Sequence, residues 1–407
     1  MMQQSLDGIT PRTIETPDDA EAVARILKTA SAEKQIVIPR GGGTMMELGA
    51  PLERADILLS LEKLNRVLHY EPADLTVRAQ AGITLAALHQ TLAQHAQMLA
   101  LDPPFPERAT VGGILAANAS GALRVRYGTA RDQVIGMRVA LANGEIVQGG
   151  GQVVKNVAGY DLPKLFIGAL GTLGVIVEAT FKLVPLPKAE ATIFAAFDDL
   201  DRALQIAQRV LKSPLTPMTV EILDRRASKA LGFGAVYSVF AKFSGTINAI
   251  TRQAGQVEDW ARENSALTTN IAAETGATWA RLRDFIFEKE IVVKASVLPA
   301  RLAEFAHDAE RIAAMHRVSI VWRAHAVGIA FAALEGASAP IANAIGDLRR
   351  AAEKTGGHLI VQRAPRELRA RVSAWGAPRP DSAVMRKLKM EFDPLNILNP
   401  GKFSGLF

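Results

Sequence analysis

The chain has 407 residues, 49% hydrophobic and 22% charged, with 47 Lys and Arg against 41 Asp and Glu for a net charge of +6. This is the composition of an ordinary globular protein, long enough for two or three structural units. No cysteine is present, which excludes disulfides, a cysteine-ligated iron–sulfur cluster and a cysteine-attached cofactor.

The first twenty residues carry neither a basic nor an apolar leader region, and no apolar run reaches the ~18 residues of a membrane span. A cytoplasmic location is the expectation. Thr16-Pro17-Asp18-Asp19 reads as a helix start, with a capping hydroxyl, proline in the first turn and acids at the positive helix end. Val23, Ile26, Leu27 and Ala30 follow at helical spacing. The run Gln35 to Ile38 reads as a strand, and it delivers the chain into Pro39-Arg40-Gly41-Gly42-Gly43-Thr44. Three glycines let the backbone bend sharply and bring several N–H donors against one anionic group. A strand-ending turn accounts for one of them. The loop is not a Walker loop, because no Gly-Lys-Ser/Thr follows, nor the dinucleotide fingerprint, because the next required glycine falls on Met46.

Asp56 to Leu61 reads as a buried strand, and residues 67–70 and 75–79 as two strands joined around Glu71-Pro72-Ala73-Asp74. Thr84 caps a helix sharing Leu85, Leu88, Leu92 and Leu99 on one face. His89 and His95 on it have no neighbouring ligands and read as surface or packing histidines. Small residues fill Ala109 to Gly121, so the backbone there lies close to a helix or a flat ligand. Thr110 with Gly112 and Gly113 suggests a helix start with outward N–H groups for an anion. Arg126-Tyr127-Gly128 forms a turn, and Val134 to Leu141 with Glu145 to Val147 form a hairpin on a type I′ turn at Asn143-Gly144. Lys155 to Ile176 reads as a helix ending near Gly168, a tight loop from Gly171 to Gly174, and a strand continuing to Val184. Helix capping explains Gly168; the remaining glycines indicate a second close approach to a ligand.

Pro185 and Pro187 mark a boundary. Beyond them, helices (203–211, 302–315) alternate with strands (235–243, 319–324), which suggests a separate α+β unit. The cations from Arg349 to Lys389 are solvated helix faces, or a surface for an acidic partner or anionic lipid headgroups. Nucleic acid is disfavoured, since aromatics are few there and no reading motif appears. The tail Phe392 to Lys402, apolar and rich in Asn and Pro, is expected to dock on the first unit.

PRGGGT, TVGGILAANASG, RYG, KNVAGYDLPKLFIGALGTLGVI and FDPLNILNPGKF, in this order, resemble the FAD-binding oxidoreductases of the vanillyl-alcohol oxidase and p-cresol methylhydroxylase type, in the form of the E subunits of bacterial glycolate oxidase. The resemblance implies an α+β fold: a two-subdomain FAD-binding domain (1–188), an α+β cap domain (189–375) and a C-terminal segment (376–407) returning to the FAD domain. It implies that Arg40, Gly41, Gly42, Gly43 and Thr44 cradle the FAD diphosphate. Thr110, Val111, Gly112, Gly113, Asn118 and Gly121, with Tyr127 and Gly128, would line the diphosphate and flavin side. Asn156, Gly159, Tyr160, Gly171, Thr172, Gly174, Val175 and Ile176 would hold the isoalloxazine and adenine ends, and Asn399 and Lys402 would close over the cofactor. Met45 and Met46 follow the first loop where relatives attach flavin through His or Cys, so FAD is expected to be non-covalent. The implied reaction is oxidation of glycolate, or another small 2-hydroxy acid such as D-lactate, by hydride transfer to flavin. The implied partners are a D-type flavoprotein subunit and an iron–sulfur subunit, with membrane association only peripheral, through the complex at the cytoplasmic face of the inner membrane.

Such a reaction needs a cation for the carboxylate and a base for the hydroxyl proton. Arg323 and His325 alternate onto one strand face and are the candidates for anchor and base; a core-edge His beside a surface Arg is the plainer reading. His358 is a second candidate base. No His, Asp or Glu set has metal-ligand spacing, and Ala332 stands where a partner for His325 would be expected. Two functions remain open: a catalytic flavoprotein subunit, or a flavin-holding relay whose partner performs the oxidation.

Overall fold

The computed structural model describes residues 6–151, 160–273, 275–378 and 380–403. The chain divides into two compact units: Met1–Ser120, Gly128–Leu186 and Ala377–Phe407 form the first, and Gly121–Tyr127 with Pro187–Gly376 the second. The short stretch Gly121–Tyr127, expected to stay with the FAD domain, thus belongs to the second unit.

In the first unit β1 (Thr13–Glu15), β2 (Val37–Arg40) and β3 (Ile57–Ser60) make a parallel sheet with β3 central. Helix Ala20–Ala32 buries Val23, Leu27 and Ala30, each large aliphatic contributing about 1.5–3 kcal/mol by leaving water. Its N-cap is Asp19, whose carboxylate accepts from Ala22 N at 2.6 Å, three residues beyond the hydroxyl expected to cap it. A five-stranded antiparallel sheet follows, from β4 (Val67–Glu71) and β5 (Thr76–Gln80), then, after the two-residue β6 (Gln97–Met98), β7 (Val134–Ala140), β8 (Ile146–Gly150) and β9 (Val175–Lys182). Its order is β4-β5-β9-β7-β8, and β6 pairs with β10 (Val184–Pro185).

Thr84 caps helix Leu85–Ala93 as expected, accepting from Ala87 N. The helix stops at Ala93, so His95 and Leu99 lie beyond it. His89 Nε2 is hydrogen-bonded to Leu99 O at 2.8 Å and His95 packs edge-on against Tyr70. The β7–β8 turn is not type I′. Leu141 O accepts Gly144 N at 3.0 Å and Leu141 N donates to Glu145 O at 2.8 Å, with left-handed Gly144 (φ +83°) ending a type I turn.

The second unit is one eight-stranded antiparallel sheet. Its strands are β11 (Ala189–Phe197), β12 (Thr219–Leu223), β13 (Tyr237–Gly245), β14 (Thr268–Ala272), β15 (Val292–Ser296), β16 (Ser319–His325), β17 (Ile329–Glu335) and β18 (His358–Arg363), in the order β14-β11-β13-β12-β16-β17-β15-β18. Helices Leu200–Lys212, Ile247–Glu263, Leu302–His316 and Ser338–Lys354 cover one face, where Ile193, Val220, Trp322 and Ala324 join the main core. Alternation sends Glu221, Arg323 and His325 to the opposite face. Among the described residues no helix is long and apolar enough to cross a membrane.

Candidate functional site

The first unit contains a cleft, open to solvent on one side, that encloses about 760 Å³ with the space at its mouth included. It is assembled from the loop after β2, helix Val111–Ala117, the turn before β9, and the tail. Of the residues expected to bind cofactor, Arg40, Gly41, Gly42, Gly43, Thr44, Thr110, Gly112, Gly113, Gly171, Gly174, Val175, Ile176, Asn399 and Lys402 line it.

The glycine loop can adopt its course only without side chains. A Cβ on Gly41 would collide with Thr110 Oγ1 and one on Gly42 with Arg108 O, while Gly43 is left-handed at φ +71°. Among the described residues, none of the N–H groups of Gly41, Gly42, Gly43 and Thr44 donates to a protein acceptor. Backbone donors without internal partners, beside the Arg40 guanidinium, are an anion cradle. The start of helix Val111–Ala117 is different from expectation. Its N–H groups are spent, Val111 on Ile83 O (2.9 Å), Gly112 on Ala81 O (2.8 Å) and Gly113 on Thr110 Oγ1 (3.3 Å). Gly112 is there for packing, since a Cβ would lie 2.7 Å from that of Ala81.

The tail closes one side. Val37 N donates to Ile397 O and Asn399 N to Val37 O, both at 2.9 Å, so the tail runs along β2. Asn399 Nδ2 donates to Leu170 O at 2.7 Å and Lys402 Nζ to Met46 O at 2.6 Å. Among the described residues Asn399 Oδ1 is a buried acceptor without a partner, suited to a hydroxyl or amino donor on a bound group.

The other expected cofactor residues lie elsewhere. Val111 is buried in the core, and Asn118, left-handed at φ 47°, ends its helix. Thr172 is 2% exposed and donates through Oγ1 to Ala169 O. Gly128 turns the chain at φ +79° ahead of the Thr129–Asp132 capping box, and Tyr160 is 93% exposed. Gly121 and Tyr127 belong to the second unit. Asn156 and Gly159 fall outside the described residues.

In the second unit Arg323 and His325 do share a face, and the sequence reading missed what joins them. Glu221, opposite His325 across β12 and β16, accepts from Arg323 Nη1 at 3.0 Å and pairs with His325 Nδ1. All three are buried, at 2%, 0% and 0% exposure for Arg323, His325 and Glu221. Arg323 also donates to Arg283 O and stacks near Phe287 and Phe331. Among the described residues His325 Nε2 and Arg323 Nε have no partner. Burial pulls the His325 imidazole below its ordinary pKa, against the opposing pull of Glu221. Lys294 extends this row, since Phe331 pairs with both Arg323 and Lys294. Among the described residues Lys294 has no acidic partner, and burial, with the charge of Arg124 second, brings it down to about 8. His358, on the edge strand β18, is separated from β16 by two strands, ~14 Å at the usual strand spacing. The signal for Glu221 and Lys294 was a charged residue inside an apolar strand, Thr219-Val-Glu-Ile-Leu223 and Ile291-Val-Val-Lys-Ala295.

Residues 11–150 match the family of FAD-binding domains, and residues 186–359 with 375–403 match the C-terminal domain of FAD-linked oxidases. The chain is 30% identical over 323 residues to D-2-hydroxyglutarate dehydrogenase of Xanthomonas citri, covering 74% of this chain and 68% of that one. It is 28% identical to glycolate oxidase subunit GlcD of Bacillus subtilis over 96% of this chain and 88% of that one. To D-lactate dehydrogenase of Archaeoglobus fulgidus it is 29% identical, over 97% and 93%. Among solved structures, p-cresol methylhydroxylase with substrate bound superposes with a TM-score of 0.78 at 19% identity, covering 96% of this chain and 88% of that one. This shows an α+β fold of the p-cresol methylhydroxylase type.

Proposed function

The chain belongs to the FAD-linked oxidases, with FAD as its cofactor, and on that premise we propose that it is a flavoprotein subunit oxidising small 2-hydroxy acids such as glycolate or D-lactate to the 2-oxo acid. The carrying observation is the cleft whose four consecutive amides, Gly41 to Thr44, have no acceptor among the described residues. Bound FAD supplies a two-electron acceptor for hydride. The chain's residues would do the rest: the amides and Arg40 would hold the diphosphate, and Asn399 would accept from one of the cofactor's polar edges. No His or Cys lines the cleft among the described residues, which supports non-covalent attachment.

For the acid substrate, Lys294 replaces Arg323 as the candidate carboxylate anchor, because Arg323 is committed to Glu221 and Lys294 has no acidic partner among the described residues. His325 remains the candidate base: with Nδ1 on Glu221, its Nε2 is the unpartnered nitrogen. Cysteine-free, the chain offers no thiolates for an iron–sulfur cluster, so onward electron transfer falls to a partner, here a D-type flavoprotein and an iron–sulfur subunit in a cytoplasmic complex. The complete burial of Arg323 and His325 favours the second reading, a flavin-holding relay whose partner carries the substrate site.

Anaerobic addition of glycolate and of D-lactate to the purified flavoprotein, followed at the ~450 nm flavin band, separates the two. Bleaching by the chain alone is the expected result. A flavin that stays oxidised until the partner subunits are added leaves only the relay.

A further inference from the structure

Helix Ser382–Phe392 in the first unit presents Val384 and Met390 to solvent, and its one fully buried side chain is a lysine. An apolar residue would anchor such a helix without the desolvation cost of a buried ammonium. Lys389, 4% exposed, spends its three donors on three acceptors: Thr172 O at 2.8 Å, Leu398 O at 3.0 Å and Asp393 Oδ2 at 2.5 Å. Asp393, 1% exposed, in turn accepts from Ile397 N at 3.0 Å and Leu398 N at 2.7 Å.

These contacts are directional, and they join parts of the chain far apart in sequence. Thr172 sits in the Gly171–Gly174 turn that walls the cleft, and Leu398 precedes Asn399 on the wall formed by the tail. The carbonyl of Thr172 and the backbone of Leu398 are thus held to one nitrogen. Ile397 and Asn399 also bond Val37 in the strand leading to the glycine loop. Burial weakens the hold of Lys389 on its proton, and Asp393 opposes this.

We propose that Lys389 is a positioning residue for FAD: with Asp393 it clasps the tail to the Gly171–Gly174 turn and so sets how long the cofactor is retained. The inference rests on the FAD reading of the cleft.

The test compares wild type with Lys389→Met, which keeps the length of the side chain and removes the three donors. FAD dissociation is followed by the recovery of flavin fluorescence, and the apo proteins are melted in parallel. The expected result is FAD release at least about tenfold faster, with the apo protein melting lower as well, because Lys389→Met leaves Asp393 buried without its cation; adding Asp393→Asn removes that charge and is expected to return the apo melting temperature toward wild type while FAD release stays fast. Unchanged FAD release in Lys389→Met overturns the proposal. Should that variant not fold, hydrogen exchange on wild type decides: amides of residues 171–174 and 397–399 gaining protection together on FAD addition supports the clasp, and protection of one segment without the other overturns it. Failure of wild type to bind FAD sinks the cofactor reading itself.

Discussion

At the scale of single residues, the course of the glycine loop is set by the atoms that press on it. Gly41 and Gly42 face Thr110 and Arg108, so the loop is fixed by its fit to residues nearly seventy positions away. Gly42→Ala places a methyl against a carbonyl and is expected to lower FAD affinity more than tenfold while leaving the circular dichroism of the protein unchanged, read as the flavin-to-protein absorbance ratio after purification. The glycines were legible because an absent side chain is itself written in the sequence, whereas Glu221 and Lys294 stood out by no motif and Lys389, expected among cations on solvated helix faces, is buried. Glu221, Lys294 and Lys389 carry ordinary side chains, and only burial and register make them unusual. Glu221→Ala strands Arg323 and His325 without their shared carboxylate and is expected to cost about 3–5 kcal/mol in denaturant unfolding, with Glu221→Gln milder. His325 also gives a pH signature. Its folded pKa lies below the ordinary 6.5, so the unfolded chain binds the proton more readily. Stability is therefore fully present above about 6.5 and is lost as pH falls below it, through the folded value. Replacing His325 with Gln should flatten that slope in unfolding free energies measured between neutral and acid pH.

At the scale of elements, periodicity located strands and helices well and their ends poorly. Helix Ala20–Ala32 was recognised from its apolar stripe, but three candidate capping residues, Thr16, Asp18 and Asp19, precede it, and only geometry selects Asp19 as the one whose carboxylate reaches Ala22 N. Asp19→Ala is expected to cost about 1 kcal/mol in thermal unfolding, whereas Thr16→Ala should be near neutral. The β7–β8 turn was misread for a related reason. Asn143 accepts from Glu145 N through its side chain at 3.0 Å, which favours a type I turn ending in left-handed Gly144 over two successive left-handed residues. Thr110 likewise marks a helix start, yet the loop after β5 reaches its N–H groups first, through Ala81 and Ile83. Such competition between nearby acceptors is invisible in a one-dimensional pattern.

At the scale of the whole molecule, the change of character after Pro187 and the docking of the tail were both readable, the first from composition and the second from apolar residues among turn-formers. The assignment of Gly121–Tyr127 to the second unit was not, because its basis is tertiary: Arg126 donates to Ser244 Oγ at 3.1 Å within that unit. The second unit has its own extensive core, so a fragment spanning 187–376 is expected to unfold cooperatively and to bind no FAD, checked by thermal circular dichroism and flavin absorbance. The first unit is built from three separated stretches, and its last one supplies Asn399 and Lys402 to the cleft. During synthesis those residues leave the ribosome after every other wall of the cleft has been made. A nascent chain therefore has no finished flavin pocket, and chains broken off before residue 393 should be colourless, so that cofactor capture reports that translation has reached the tail.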